Sequence, residues 1–128
     1  MISLYKAKGM GSVAKTIENR SFQFALRIVK LCEHLRNEKK EYTLSKQLLR
    51  AGTSIGANVA EAEQAQSRLD FINKLSIALK EASETDYWIR LLYAAEYLRQ
   101  KEYESIIDDC RALEKMLTSI IKTTKVQG

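Results

Sequence analysis

The sequence predicts an all-α protein, an antiparallel up-down-up-down four-helix bundle that assembles into a closed homo-oligomer. Three observations point to the bundle. Not one of the 128 residues is proline, and the 45% apolar and 29% charged residues are mostly good helix formers. Apolar residues also recur at steps of three and four in four successive stretches, each long enough for a helix. Short connections between them favour antiparallel neighbours.

The central stretch runs from Leu44 to Ala65. Leu44, Leu48, Ala51, Ile55, Val59 and Ala62 share one helix face. Beside them Gly52, Gly56 and Ala60 form a row of small residues, one turn apart. A glycine inside a helix costs roughly 1 kcal/mol against alanine, so two on one face imply close approach by another helix. Ser54, Asn58 and Glu61 complete this packing signature. For Asn58 and Glu61 a binding pair is one reading; inter-helix hydrogen bonds and a salt bridge are the other.

Met1–Ile17 shows no sustained period, so residues 1–18 are expected to form a flexible N-terminal arm ahead of a bundle domain at 19–125. The first helix is predicted from about Asn19 to Asn37, with Asn19 or Ser21 as N-cap. Its core rows are Phe24, Ile28, Leu31, Leu35 and, alongside, Phe22, Ala25, Val29, Cys32. Thr43 or Ser45 can cap the central helix, and Ser67 with Asp70 resembles a capping box opening the third. That helix is predicted over about Arg68 to Leu98, with Phe71, Leu75, Ala78, Ala82, Ile89 and Leu92 inward.

Between Tyr87 and Leu98 only Arg90 and Glu96 are charged, and apolar residues surround the axis. Such a segment is buried on more than one side. One bundle cannot cover it, so Tyr87, Trp88, Leu91 and Tyr97 are assigned to an interface between protomers. After a turn at Gln100–Lys101, a fourth helix over about Glu102 to Thr124 carries the seam Tyr103, Ile106, Cys110, Leu113, Leu117, Ile120.

Several functions find no support in the residues. No apolar run approaches the ~18 residues of a membrane span, and the N-terminus lacks a signal-peptide core, which together imply a cytoplasmic protein with no membrane partner. Cys32 and Cys110 fall in apolar stripes and read as buried thiols. The single histidine, His34, has Leu31 three residues before it where a di-iron bundle needs glutamate. Gly52–Gly56 lacks the Gly-Lys-Ser/Thr ending of a phosphate loop. Ser54 has no histidine base, and Glu81, Glu84 and Asp86 imply no acid–base partner. No cofactor, metal ligand or catalytic residue is assigned, and the chain is read as a non-enzyme.

The net charge of +5 is unevenly spread. Residues 1–60 hold eleven Lys/Arg against four Asp/Glu, and residues 61–128 hold ten against twelve. Arg20, Arg27, Lys30, Lys39, Lys40, Lys46 and Arg50 are the candidate phosphate contacts. An ordinary solvated helix face is the alternative. Aromatics interleaved with the charges, the mark of base-reading RNA binders, are missing from this basic helix face.

Ser45-Lys-Gln-Leu-Leu-Arg-Ala-Gly-Thr-Ser-Ile-Gly-Ala-Asn-Val-Ala-Glu61 resembles the signature of the 23S rRNA-intervening-sequence proteins, a four-helix-bundle family. Ser21–Lys30, Phe71–Glu81 and Tyr87-Trp88 resemble other parts of it, and the similarity spans roughly Arg20 to Thr124. Many members have proline where this chain has Gly56. The resemblance implies a closed homo-oligomer, typically a pentamer, and no catalytic residues. Some members are encoded within inserted segments of ribosomal RNA genes. Relatives serve diversity-generating retroelements as accessory proteins that engage RNA and a reverse transcriptase. The functional expectation is therefore an oligomer that associates with RNA or DNA. Its rival is a protein–protein scaffold or accessory subunit, for example of a reverse transcriptase, with no nucleic-acid binding of its own.

Overall fold

The structure, a computed structural model, describes residues 11–127. Four helices follow in order: α1 (Gly11–Asn37), α2 (Thr43–Ala62), α3 (Arg68–Ala94) and α4 (Gln100–Val126). No strand occurs among the described residues. Each helix packs on its chain neighbour and α4 returns to α1, giving a four-helix bundle around one core.

The core is the set of stripes legible in the sequence. Leu48, Ala51, Ile55, Val59 and Ala62 of α2 are essentially inaccessible, as are Ile28 and Leu35 of α1, Leu75, Ile89 and Leu92 of α3, and Leu113 and Leu117 of α4. Burying an aliphatic side chain of this size contributes roughly 1.5–3 kcal/mol.

Several boundaries and one row differ from expectation. Residues 11–18 are helical and belong to α1, while residues 1–10 of the expected arm lie outside the described residues. Ile17 explains the earlier start: it is buried, and it extends the stripe of Ser21, Phe24 and Ile28 by one turn. Ser21 is thus interior to the helix, with its hydroxyl donating to the Glu18 carbonyl at 3.1 Å. In the second predicted core row Phe22 is 62% exposed, Ala25 and Val29 are half-buried, and Cys32 alone is buried. That row sits too far round α1 from the core.

The cap of α2 also differs. Neither Thr43 nor Ser45 caps it; Glu41 turns inward, and its carboxylate accepts the N–H groups of Thr43, Leu44 and Ser45 at 3.2, 3.0 and 2.7 Å. Three of the donors that a helix start leaves unpaired are satisfied by one side chain. The predicted Ser67 cap of α3 is present, with its hydroxyl accepting the Asp70 N–H at 3.0 Å. α2 ends at Ala62, three residues early, and α3 ends at Ala94, not near Leu98.

The end of α3 has a specific cause. Glu96 takes a left-handed backbone, φ 69°. Its N–H reaches the Tyr93 carbonyl at 3.0 Å, and that of Tyr97 reaches Leu92 at 2.9 Å. This is the Schellman arrangement, with glutamate where glycine is usual. The reversal folds Tyr97 and Leu98 back onto the chain's own core. α4 then starts two residues early, with the Arg99 N–H donating to Glu102 at 2.9 Å.

Candidate functional site: a basic surface on the first two helices

All seven predicted cations are exposed, but they do not form one stripe. Arg20 and Arg27 lie on the α4 side of α1. Arg20 reaches Met116 Sδ at 3.7 Å, while Arg27 forms an ion pair with Asp109 and hydrogen-bonds Ser105 Oγ at 3.0 Å. Lys46 and Arg50 stand one turn apart on α2, and Lys39 and Lys40 occupy the α1–α2 connection. Among the described residues, Arg27 alone of the seven pairs with a carboxylate. Lys40 donates to the Asn37 carbonyl at 2.9 Å, and Lys30, Lys39, Lys46 and Arg50 make no ion pair there.

An aromatic ring stands at the end of this surface, where sequence reading found none interleaved. Tyr42 is 51% exposed, and the Arg36 guanidinium lies over its ring, 5.4 Å from the centroid. Five residues, the turn among them, lie between the two, so no helical period links them.

The small row has a clear structural role. A Cβ on Gly52 would stand 2.8 and 2.9 Å from the Ile28 γ-carbons, and one on Gly56 would stand 3.3 Å from the Ser21 carbonyl oxygen. Both glycines therefore admit α1, whereas Ala60 is exposed. Ser54 and Asn58 bond within α2: the Ser54 hydroxyl donates to the Arg50 carbonyl, and the Asn58 amide to the Ser54 carbonyl. Glu61 reaches α3, accepting from Lys74 at 3.0 Å.

The residues assigned to an interface divide. Trp88 and Tyr97 pack partly on the chain's own core, Leu91 is half-buried, and Tyr87 is 49% exposed with Arg90 over its ring. Further exposed apolar side chains are Phe22 and Leu26 on α1, Leu49 on α2, and Leu69 and Ile77 on α3.

One cluster was invisible in the sequence. Donor atoms of Asp86, Cys110 and Glu114 lie within 4.8 Å of one another across the α3–α4 seam. Three such groups can ligate a metal, but the hydrogen bonds describe another role. Asp86 accepts from Arg90 at 2.8 Å and from Arg111 at 3.0 Å. Burial pushes the Cys110 thiol up, and it donates to the Ala82 carbonyl at 3.3 Å. Burial and the facing Asp86 raise Glu114 to about 7. Both Asp86 oxygens are thus held by the protein's own cations. Burial likewise pushes the Cys32 thiol up, to about 12, and it donates to the Ser45 carbonyl at 3.3 Å. No described helix is long and apolar enough to cross a membrane.

Residues 15–119 match the family described as 23S rRNA-intervening sequence protein. A similar solved structure is that of a protein of unknown function from the S23 ribosomal protein family of Bacteroides thetaiotaomicron. It is 57% identical, with a TM-score of 0.85 over 86% of this chain and 98% of that one. No curated protein matches the chain. With its four helices and most of its length matched, the chain belongs to the 23S rRNA-intervening sequence protein family.

Proposed function

We propose that this chain is a non-catalytic, homo-oligomeric bundle that associates with structured RNA or DNA through the basic surface of α1 and α2. The observation that carries this reading is the pairing pattern. Six of the seven predicted cations have no carboxylate partner among the described residues, so they remain available to phosphates. Binding would follow charge and shape, with little base preference.

The order of contacts supports antiparallel packing of α1 and α2, as the up-down-up-down arrangement requires. From Cys32–Ser45 through Ile28–Gly52 to Ser21–Gly56, positions fall on α1 as they rise on α2. Exposed apolar residues on two separate sides, Phe22 and Leu26 on α1 and Ile77 and Tyr87 on α3, support self-association. Two unlike faces suit a head-to-tail contact, which closes into a ring such as the expected pentamer. The same faces favour the second reading, a scaffold or accessory subunit, for example of a reverse transcriptase, which binds protein only.

Filter retention of a structured RNA separates the two. The nucleic-acid reading expects wild-type protein to retain it at low salt, and a Lys30→Glu/Lys46→Glu/Arg50→Glu variant of equal mass and helicity to lose it. Equal retention by both removes the basic surface from the account.

A further inference from the structure

The corner between α1 and α2 presents an aromatic ring that the core leaves half in solvent. Tyr42 precedes the first residue of α2 and makes no side-chain capping bond. Its backbone is held on both sides. Before it, Lys40 adopts a left-handed conformation, φ 56°, and its amine closes onto the Asn37 carbonyl. After it, the first N–H groups of α2 are fastened by Glu41. A left-handed non-glycine residue is uncommon and is tolerated where its surroundings fix it.

Cations outnumber acids around this corner. Arg36 covers part of the ring, Lys39 and Lys40 precede it, and Lys46 stands one turn further along α2. Of the two acids in the connection, Glu41 is buried and engaged as a cap, which leaves Glu38 as the exposed one. Because Glu41 occupies the start of α2, this corner offers an anion no helix N-terminus. It offers a half-exposed π-surface with Arg36 over it, and with Lys39 and Lys46 within four residues along the chain.

That combination fits one ligand chemistry. A phosphate alone needs no ring, and a duplex cannot present the face of a base. An unpaired base offers both a face to stack and phosphates on either side, and proteins hold it with an aromatic plane or a guanidinium plane and nearby cations. We infer that Tyr42, backed by Arg36, is a stacking platform for one unpaired base of the bound nucleic acid, with Lys39 and Lys46 on its flanking phosphates. The inference rests on the nucleic-acid reading above and adds a preference for loops or single strands over duplex.

The test compares two probes of equal length on the full chain: an RNA hairpin with an unpaired loop, and the same RNA closed into continuous duplex. Tyr42→Ala is expected to weaken hairpin binding about fivefold to a hundredfold and leave duplex binding unchanged. Tyr42→Trp, which keeps a stacking plane, should restore the hairpin affinity. Equal hairpin affinity for wild type and Tyr42→Ala overturns the platform while leaving the wider reading intact. So does an equal loss on both probes, or a change in oligomer mass, which would make Tyr42 a protein contact. Wild-type protein that retains neither probe removes both proposals.

Discussion

Arg27 on α1 forms an ion pair with Asp109 on α4 and holds Ser105 with the same guanidinium, joining the first and last helices. Arg27 also lines two openings in the seam. One, of about 250 Å³, is floored by Phe24 and Leu113; the other, of about 140 Å³, is lined by Leu31, Leu98 and Ile106. Both partners are over two-fifths exposed, so their coupling is small, roughly 0.2–1 kcal/mol. A double-mutant cycle of Arg27→Ala and Asp109→Ala, read by chemical unfolding, should return a value in that range. Arg27→Glu would place two carboxylates together and destabilise the bundle, whereas Lys30→Glu would not. Equal stability of these two reversals contradicts the strut.

The glycine row predicts an order of effects. At Gly52 a new methyl meets the branched carbons of Ile28 at 2.8 and 2.9 Å, so Gly52→Ala overpacks the contact, with a cost of about 1–3 kcal/mol. At Gly56 the approach is 3.3 Å, and the helix-propensity gain of about 1 kcal/mol offsets a small shift of α1. Thermal melts should therefore rank Gly52→Ala well below Gly56→Ala, which stays near wild type. Gly56→Leu, which drives a long side chain at the Ser21 backbone, should cost more than Gly56→Ala. The reverse ranking would show that α1 does not rest on Gly52.

The α3–α4 carboxyl pair predicts a pH dependence. Burial first, and then the Asp86 carboxylate, raise Glu114 from 4.5 to about 7. A raised acid favours the folded state most below its unfolded value, so this contribution is complete below about 4.5 and is lost as pH rises through 7. Asp86 has the opposite sign. Burial works against its charged form, but bonds from Arg111, Glu114 and Arg90 outweigh it and lower its value from 3.8. Its contribution is present above 3.8 and is lost as pH falls further. Melting temperature should thus decline between pH 5 and 8, and Glu114→Gln should flatten that decline. An unchanged slope in the variant would show that Glu114 does not carry the decline.

Much of the fold was legible because it depends on period alone. The α2 stripe and the α4 seam name buried residues almost without exception, since one helix turn fixes which side chains share a face. Gly52 and Gly56 likewise announced a close helix contact, which the exposed Ala60 does not share. The end of α3 was hidden because glutamate, not glycine, takes the left-handed position at Glu96. The start of α1 was missed because Ile17 stands at the edge of an otherwise aperiodic leader. The site was less legible. Arg27–Asp109 spans 82 positions, and Asp86–Arg111 spans 25, so charge partners arise from packing that no local pattern records. The basic surface could be named residue by residue, but not which cation was already neutralised, nor that Tyr42 would stand beside Arg36.

Assembly has its own prediction. Phe22→Glu and Tyr87→Glu each place a charge on an exposed side chain, so neither should unfold the bundle. Light scattering should find each variant smaller than wild type. Mixing the two should restore pairs but not the full ring, because each retains the face the other has lost. A wild-type monomer at micromolar concentration contradicts assembly through these faces.

The salt dependence of nucleic-acid binding tests the central claim most directly. If the free cations of α1 and α2 hold phosphates, the logarithm of the association constant should fall linearly with the logarithm of salt concentration. Each neutralised phosphate adds roughly 0.7 to the slope for a single strand and 0.9 for a duplex. Replacing Lys30, Lys46 and Arg50 with glutamate should flatten the slope while oligomer mass and helicity stay unchanged. An affinity indifferent to salt, or no RNA retained by wild-type protein even at low salt, would contradict the account and leave the protein-only scaffold standing.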